Sequence, residues 1–583
     1  MQRTQHGFAL VTALAILVIL TVIGLVMVSN ATFEIRQSSS SAGLAAARAA
    51  AEAGQTEQQY YLWNSGLSDI SSVFQPYVDE FARSSRDART SPIVTHETAA
   101  LASLNAMPGT IATGALDTGV AYSARTHFSN LRADPGSFSS QQQVYYVDYR
   151  VTADGSVGRY RRTVITTGTM SISLGRRYLN QYVLLADDGG SGPNGRSGFF
   201  DGTLTFNGPV HVNRNWALTG RPTFLSGATT AASQVFMDAN CSYTFTLTNT
   251  QGLGCTQPNT NGFGLQYSVP AVDLPRNSFS QERAALGLNA SVTSQPSRSE
   301  ICAALRDAAP NNCGTSLPGG VYVPNANGAL TGGIYINGNA ASVMLSVNAQ
   351  GQQVYTITAG GQTTTITVDA TTQRTTIATP TGTRTFSGVP NGQLYATGTI
   401  DALSGPARHG ALPVNPPSHP VPVQVQPAVA SITQLNVAAA GNVVITGDLV
   451  YQSDPRTVSS ARNVLGIISG TGNVMIGTAA PNDVYVHGAI LAGANGRGLG
   501  VVNSGDRARG PRGAIHLLGS VAEQQDLLRG SVNAQGRVVA GYSDAWNFDQ
   551  RFFNGAVAPP FFPATSLFTV RSSLPVQHTW KEE

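Results

Sequence analysis

The chain is 583 residues long, enough for several domains, yet only 11% of it is charged and 62 residues are glycine. With Thr, Ser, Asn and Val plentiful, this composition excludes a mainly helical protein and predicts β-structure for most of the chain. A net charge of +3 excludes any argument for a nucleic-acid partner from overall charge alone.

The first element is the most informative. A polar leader, MQRTQHG, runs into the uncharged stretch FALVTALAILVILTVIGLVMV, Phe8 to Val28. As a helix this stretch is about 30 Å long, the thickness of a hydrocarbon core. A secretory signal has a shorter apolar region followed by a small-residue cleavage site, whereas here the small residue, Gly7, comes first and Arg3 stands in the leader. The span alone also fits a plain N-terminal anchor. Residues 29–64 are dominated by helix formers and end at a stop signal, Asn64, Ser65 and Gly66. One helix over 8–64 is therefore predicted, about 85 Å long and far longer than an anchor needs. Its second half presents Ala45, Ala46, Ala49, Ala50 and Ala53, small enough for close helix approach, with Arg48 and Glu52 as an i, i+4 pair.

The order of Gly7 and Phe8 after a basic leader resembles the type IV prepilins. The segment GFALVTALAILVIL, followed by Glu34, Ile35 and Arg36 and by AAEAG at 50–54, resembles the N-terminal region of PilX-type minor pilins. The resemblance covers residues 7 to about 64. It implies a leader of residues 1–7 removed by prepilin peptidase between Gly7 and Phe8, and a retained helix that spans the inner membrane once before assembly. After assembly it implies a place in a cell-surface pilus, with other pilins as partners through the helix. Most pilins carry a glutamate at the fifth residue of the mature chain, where this chain has Thr12. In the family that glutamate pairs with the N-terminal ammonium of a neighbour, because a lone charge in lipid is costly. Its replacement suits a subunit at the end of a filament.

Residues 65–185 read as an α/β pilin head. The runs at 143–155 and 158–175 alternate apolar and polar side chains across a Gly-bearing turn, a hairpin signature, and the resulting antiparallel sheet is expected to pack on the second half of the long helix. Residues 186–198, ADDGGSGPNGRSG, read as a linker. Asp187, Asp188 and Asn194 there are oxygen ligands suited to calcium, or simply solvated; no metal or cofactor is assigned. Cys241 and Cys255, and Cys302 and Cys313, lie 14 and 11 residues apart. Two local disulfides are the simplest of three pairings, each worth about 3 kcal/mol in the chain-entropy model. With no CxxC motif or nearby paired histidines, zinc is the lesser alternative.

From 199 to 541 a mostly-β domain is predicted. A pattern of apolar residue, any residue, Gly, any residue and apolar residue recurs as FNGPV (206–210), INGNA (336–340), ITGDL (445–449), VHGAI (486–490) and LLGSV (517–521). Each glycine is expected at a bend between two short strands. Such recurrence argues for a β-solenoid with insertions; an antiparallel sandwich stays open as the alternative. Residues 354–389 are Thr-rich hairpins expected to protrude. Residues 406–427 carry seven prolines and read as an extended strap. The aromatic-rich end, residues 542–583, reads as a cap or return segment, or else an exposed sticky patch.

Catalytic constellations are missing from the pattern. Asp and Glu do not cluster in the β-rich part, His211, His409, His419, His487 and His516 are scattered, and there is no nucleophile motif or P-loop, so the chain is not expected to be an enzyme. The one stretch that invites a partner is 494–513, which sets Arg497, Arg507, Arg509 and Arg512 in a Gly-rich loop with Asp506 as its only acid. Such arginines can each meet a phosphate of double-stranded DNA, and without interleaved aromatics they do not stack single-stranded bases. A solvated loop is the plain alternative. Arg408 and Arg214 extend the patch only if the fold brings them to the same face. A pilin head enlarged by a solenoid is similar to the large competence minor pilins of the ComZ type, which implies a pilus-tip subunit that captures extracellular DNA. The competing expectation is a tip subunit for assembly initiation or adhesion; a third is a membrane-anchored β-helix enzyme acting on polysaccharide through an acidic groove.

Overall fold

A computed structural model describes the chain except residues 1–4, 64, 85–90, 139–141, 190–199, 201, 215, 219–220, 238–243, 247–257, 262–264, 310–316, 534–536, 554–556 and 573–575. It is a long N-terminal helix followed by a largely β-rich chain, divided into two compact units: Met1–Gly175 with Thr569–Glu583, and Arg176–Phe568. The division falls ten residues before the expected end of the head, and the last strand belongs to the first unit.

In the first unit α1 (Gln5–Trp63) is continuous. It is long and apolar enough to cross a membrane, and its residues 11–38 are exposed throughout. Strands β1 (Ile111–Asp117), β2 (Val120–Asp134), β3 (Gln142–Val157) and β4 (Tyr160–Tyr178) follow in order as antiparallel neighbours. The predicted hairpin is present, with Val157 opposite Tyr160. The helix lies on β2 and β3 through Ala47, Ala50, Ala51, Gly54, Gln55, Gln58 and Leu62, all buried. The spacing of three and four residues is that of one helical face.

This face is rotated from the expected alanine stripe: Ala50 belongs to it, but Ala45 and Ala49 are exposed. Backbone proximity sets the phase. A Cβ on Gly155 of β3 would collide with the Ala47 carbonyl and the Ala51 amide, so the sheet touches the helix where both carry their smallest residues. The buried amides are satisfied, Gln55 donating to Thr166 Oγ1 at 2.8 Å and Gln58 to the Gly109 carbonyl at 3.0 Å. The strand Val576–Glu582 pairs with β4, and Trp580 Nε1 donates to Gln55 Oε1 at 3.0 Å.

The second unit is built on two large sheets. In the first, strands 334–337, 393–396, 434–439, 464–469, 484–492 and 511–525 lie side by side, parallel and in register. One column runs Ile334, Leu394, Val437, Ile467, Ile490, Val521, every member at most 1% exposed. It continues into Leu184, Val210 and Ala228, so the first strand of the unit joins one near its end. The second sheet stacks Ala340, Ile400, Val443, Val474 and Leu499 in the same way, all fully buried. Parallel strands buried on both faces read as continuous apolar runs, as in VYVHGAILA. This pairing is not that of an antiparallel sandwich.

The recurring glycine divides into two kinds. Gly208, Gly338 and Gly447 stand at turns between short strands, as expected. Gly488 and Gly519 lie inside long strands, directly opposite each other, where a Cβ on Gly519 would strike the Gly488 backbone. There the residue serves close strand approach and not a bend. Asparagines at the turns add a ladder absent from the sequence reading: Asn339, Asn442 and Asn473 each accept a backbone N–H from the neighbouring chain level, at 3.1, 2.8 and 3.2 Å.

The expected linker begins too early. Asp187 and Asp188 end the strand Leu184–Asp188, and 190–198 lies outside the described residues. The aromatic segment is largely packed: Trp546, Phe548, Phe552 and Phe562 are buried, Phe553 is half-buried, and Phe561 and Trp580 are exposed at 38% and 43%. Phe206 stacks on Phe224 at 5.5 Å while Trp546 meets Phe206 edge-on at 6.0 Å, geometries worth about 0.5–1.5 kcal/mol beyond their area.

Candidate nucleic-acid interface

The four candidate arginines sit at the two ends of the short strand Leu499–Val501. Arg497 precedes it in an exposed turn. Arg507 and Arg509 lie on a single 3-10 turn whose N-cap is Asp506, its carboxylate accepting the Ala508 N–H at 3.0 Å. Arg512 opens the following strand, Pro511–Gln525. The loop's only acid thus serves as a backbone acceptor and forms no ion pair with the neighbouring guanidinium groups among the described residues.

Those groups are not equivalent. Arg509 Nη2 donates to the Thr478 carbonyl at 2.8 Å, and Arg512 Nη1 reaches the same oxygen at 3.2 Å. Arg512 also donates through Nε to Asn482 Oδ1 at 3.0 Å, to the Ala480 carbonyl, and lies over the Tyr542 ring at 5.3 Å. It is chiefly a clamp on the 478–482 loop. Arg507 is exposed and makes no side-chain hydrogen bond or ion pair among the described residues, and Arg497 is likewise exposed and unpaired. The fold thus brings Arg509 and Arg512 together and leaves Arg507 and Arg497 without a side-chain partner among the described residues.

Arg408 does reach this region, donating to the Asn482 and Asp483 carbonyls at 3.0 and 2.8 Å. Asp448 grips it with both oxygens at 2.5 and 2.8 Å, so it adds little free charge. Arg214 pairs with Asp187 at 2.7 Å. The Asp187 carboxylate also accepts from Asn213 at 3.0 Å and Gln524 at 3.1 Å, partners that are hydrogen-bond donors and not calcium ligands; Asn194 lies outside the described residues. Cys302, on the helix Arg298–Ala304, is disulfide-bonded. Cys241, Cys255 and Cys313 lie outside the described residues, as do the side chains at the Gly7–Phe8 junction.

The histidines are less scattered than the sequence implied. His516 stacks on Tyr485 with ring centroids 4.3 Å apart and shares a 2.7 Å hydrogen bond with Ser418 of the proline-rich segment. The adjacent His419 meets Asp454 at 3.3 Å. Asp483 stands 3.6 Å from His516 Nε2, beyond a hydrogen bond. Burial pushes the His516 imidazole down, and pushes His487 to about 3 and His211 to about 4. These rings are neutral pins that hold the strap and the sheets, in keeping with the buried Tyr485 hydroxyl donating to the Pro417 carbonyl at 2.7 Å.

One buried ionic group was not singled out in the sequence. Arg529 donates to Asp544 at 2.9 Å and to Asp526 at 2.6 Å, lies 4.9 Å over the Trp546 ring, and is 9% exposed. Beside it Glu523 is fully buried, accepts the Leu499 N–H at 2.8 Å and has its pKa raised well above the usual range by desolvation. No local signal links residues 523, 526, 529 and 544; only the fold does.

Two comparisons with known proteins bear on the chain. A family model described as a domain of unknown function, DUF4900, matches residues 144–241, a stretch that begins in β3. Among solved structures, the crystal structure of the competence-associated pilin ComZ from Thermus thermophilus is similar at 14% identity, covering 93% of this chain and 98% of that one, with a TM-score of 0.28. A superposition at that score carries no argument about sites. No curated protein matches the chain.

Proposed function

We propose that the chain is a minor pilin at or near the tip of a type IV pilus, carrying a large β-solenoid that captures extracellular DNA for natural transformation. The observation that carries this reading is α1: an apolar, wholly exposed first half continuous with a second half packed on an antiparallel sheet by Ala47, Ala50, Ala51 and Gly54. A simple anchor has no use for a rigid rod half built into a folded unit, whereas a filament subunit buries the free half against its neighbours. The two in-register apolar columns support the solenoid, one level following another at irregular spacings. The exposed, unpaired Arg507 and Arg497 support phosphate contact, and without a base-reading element that contact is independent of sequence.

Natural transformation and piliation measured in a deletion strain test this reading. Loss of transformation with pili still present supports DNA capture. Loss of pili supports the second reading, a subunit that initiates assembly, which Thr12 at the position of the family glutamate favours. The Arg507→Ala and Arg497→Ala double variant sharpens the test: each phosphate contact removed lowers the salt dependence of binding by about 0.9 in log–log slope.

A further inference from the structure

The Thr-rich hairpins carry none of the four candidate arginines of the 494–513 loop. Strands 353–359, 362–369, 374–379 and 382–387 extend the second sheet from Ala340–Val347, each antiparallel to the one before it. Between them and residues 307–308 and 321–325 lies an open cavity of about 460 Å³, within the range of small-ligand sites. Thr364 lines it, is only 6% exposed, and its hydroxyl has no hydrogen-bond partner among the described residues. Asn325 donates to the Val323 carbonyl at 2.9 Å, which leaves its own carbonyl oxygen open. Asp307 accepts the Asn327 N–H through one oxygen at 3.2 Å, leaving the other. Arg384 lines the same cavity, exposed and without an ion-pair partner among the described residues. The rings of Tyr322 and Phe386, both half-buried, complete it.

We propose that this cavity is a binding site for a neutral, hexose-based oligosaccharide of two or three units. The groups left open alternate between acceptors (Asn325, Asp307), donors (Arg384) and a hydroxyl that does either (Thr364), the complement of a ring of sugar hydroxyls. The aromatic rings offer apolar faces to the C–H side of a pyranose. One carboxylate balances one guanidinium, so an anionic polymer gains nothing at Arg384 that it does not lose at Asp307. The proposal is independent of DNA capture, and it gives the hairpins an adhesive role at the cell surface.

The test uses the full chain in detergent on a printed array of neutral and acidic oligosaccharides, followed by titration calorimetry with maltotriose, cellotriose and chitotriose. The expected result is saturable binding of a neutral oligosaccharide with a dissociation constant near 1 mM or tighter. Thr364→Val and Arg384→Gln are each expected to weaken it by about tenfold, and Arg507→Ala to leave it unchanged. Arg384 is exposed, so its variant folds, and an unaltered melting temperature verifies that. Preference for acidic glycans, retention of none, or binding that survives both cavity variants overturns the proposal.

Discussion

The two units solve the same problem, covering apolar strands, in opposite ways. In the first, neighbours in the sheet are neighbours in sequence, from β1 to β4, and the far face is covered by a helix through alanine and glycine. In the second, the strands of the parallel columns pair with ones a whole level away, Leu394 with Val437 and Ile490 with Val521, and both sheets stack apolar positions into columns. Local pairing tolerates a sheet that faces a single helix. The polar residues buried in the parallel sheet, such as Gln393 opposite Asn436, are hydrogen-bonded to each other, and the buried Arg529 beside it is paired with Asp526 and Asp544.

The largest expected effect separates the units on this point. Arg529→Ala leaves Asp526, Asp544 and Glu523 buried without their cation, and should cost about 3–5 kcal/mol in denaturant unfolding. The exposed pair of the first unit is the control. Next come the close approaches. Gly155→Ala forces β3 from the helix, and Gly519→Ala forces apart strands 484–492 and 511–525. Each should cost about 1–3 kcal/mol or more, read as a shift in the unfolding midpoint; a neutral result at either position would show that the backbone contact relaxes freely.

A smaller effect of opposite sign comes from Glu282, 2% exposed, whose pKa burial raises to about 7 from 4.5, with the Tyr335 hydroxyl 3.5 Å away. Because the folded value lies above the unfolded one, this group costs stability above its folded pKa and nothing below its unfolded one. Glu282→Gln should therefore stabilise by about 1–3 kcal/mol near pH 8 and by little near pH 5. The smallest effect belongs to Arg48→Ala. Its pairs with Glu52 at 2.8 Å and Glu582 at 3.2 Å are both partly exposed, and about 0.2–1 kcal/mol is expected.

The contrast between the units also explains what could be read from the sequence. The long helix, the 143–175 hairpin and the β-rich remainder were legible because their signals are local: an uncharged run, a period of two and a Gly-bearing turn. The helix phase was not, since Ala45 and Ala47 are equivalent until Gly155 selects one. Nor was the double role of the recurring glycine, because Gly488 and Gly519 meet only through a parallel register 31 residues long. At the candidate site, composition located the arginine loop but could not rank it. Arg512 spends its donors on the Thr478, Ala480 and Asn482 groups, whereas Arg507 keeps its own, and that distinction depends on where the 478–482 loop passes.

The central claim is a minor pilin whose helix is kept after processing. Its most direct test is the N-terminal residue of the chain recovered from sheared, purified pili. The account predicts Phe8 as the first residue, in the pilus fraction. A chain that still begins before Gly7, or one found only in the membrane fraction of piliated cells, would contradict it.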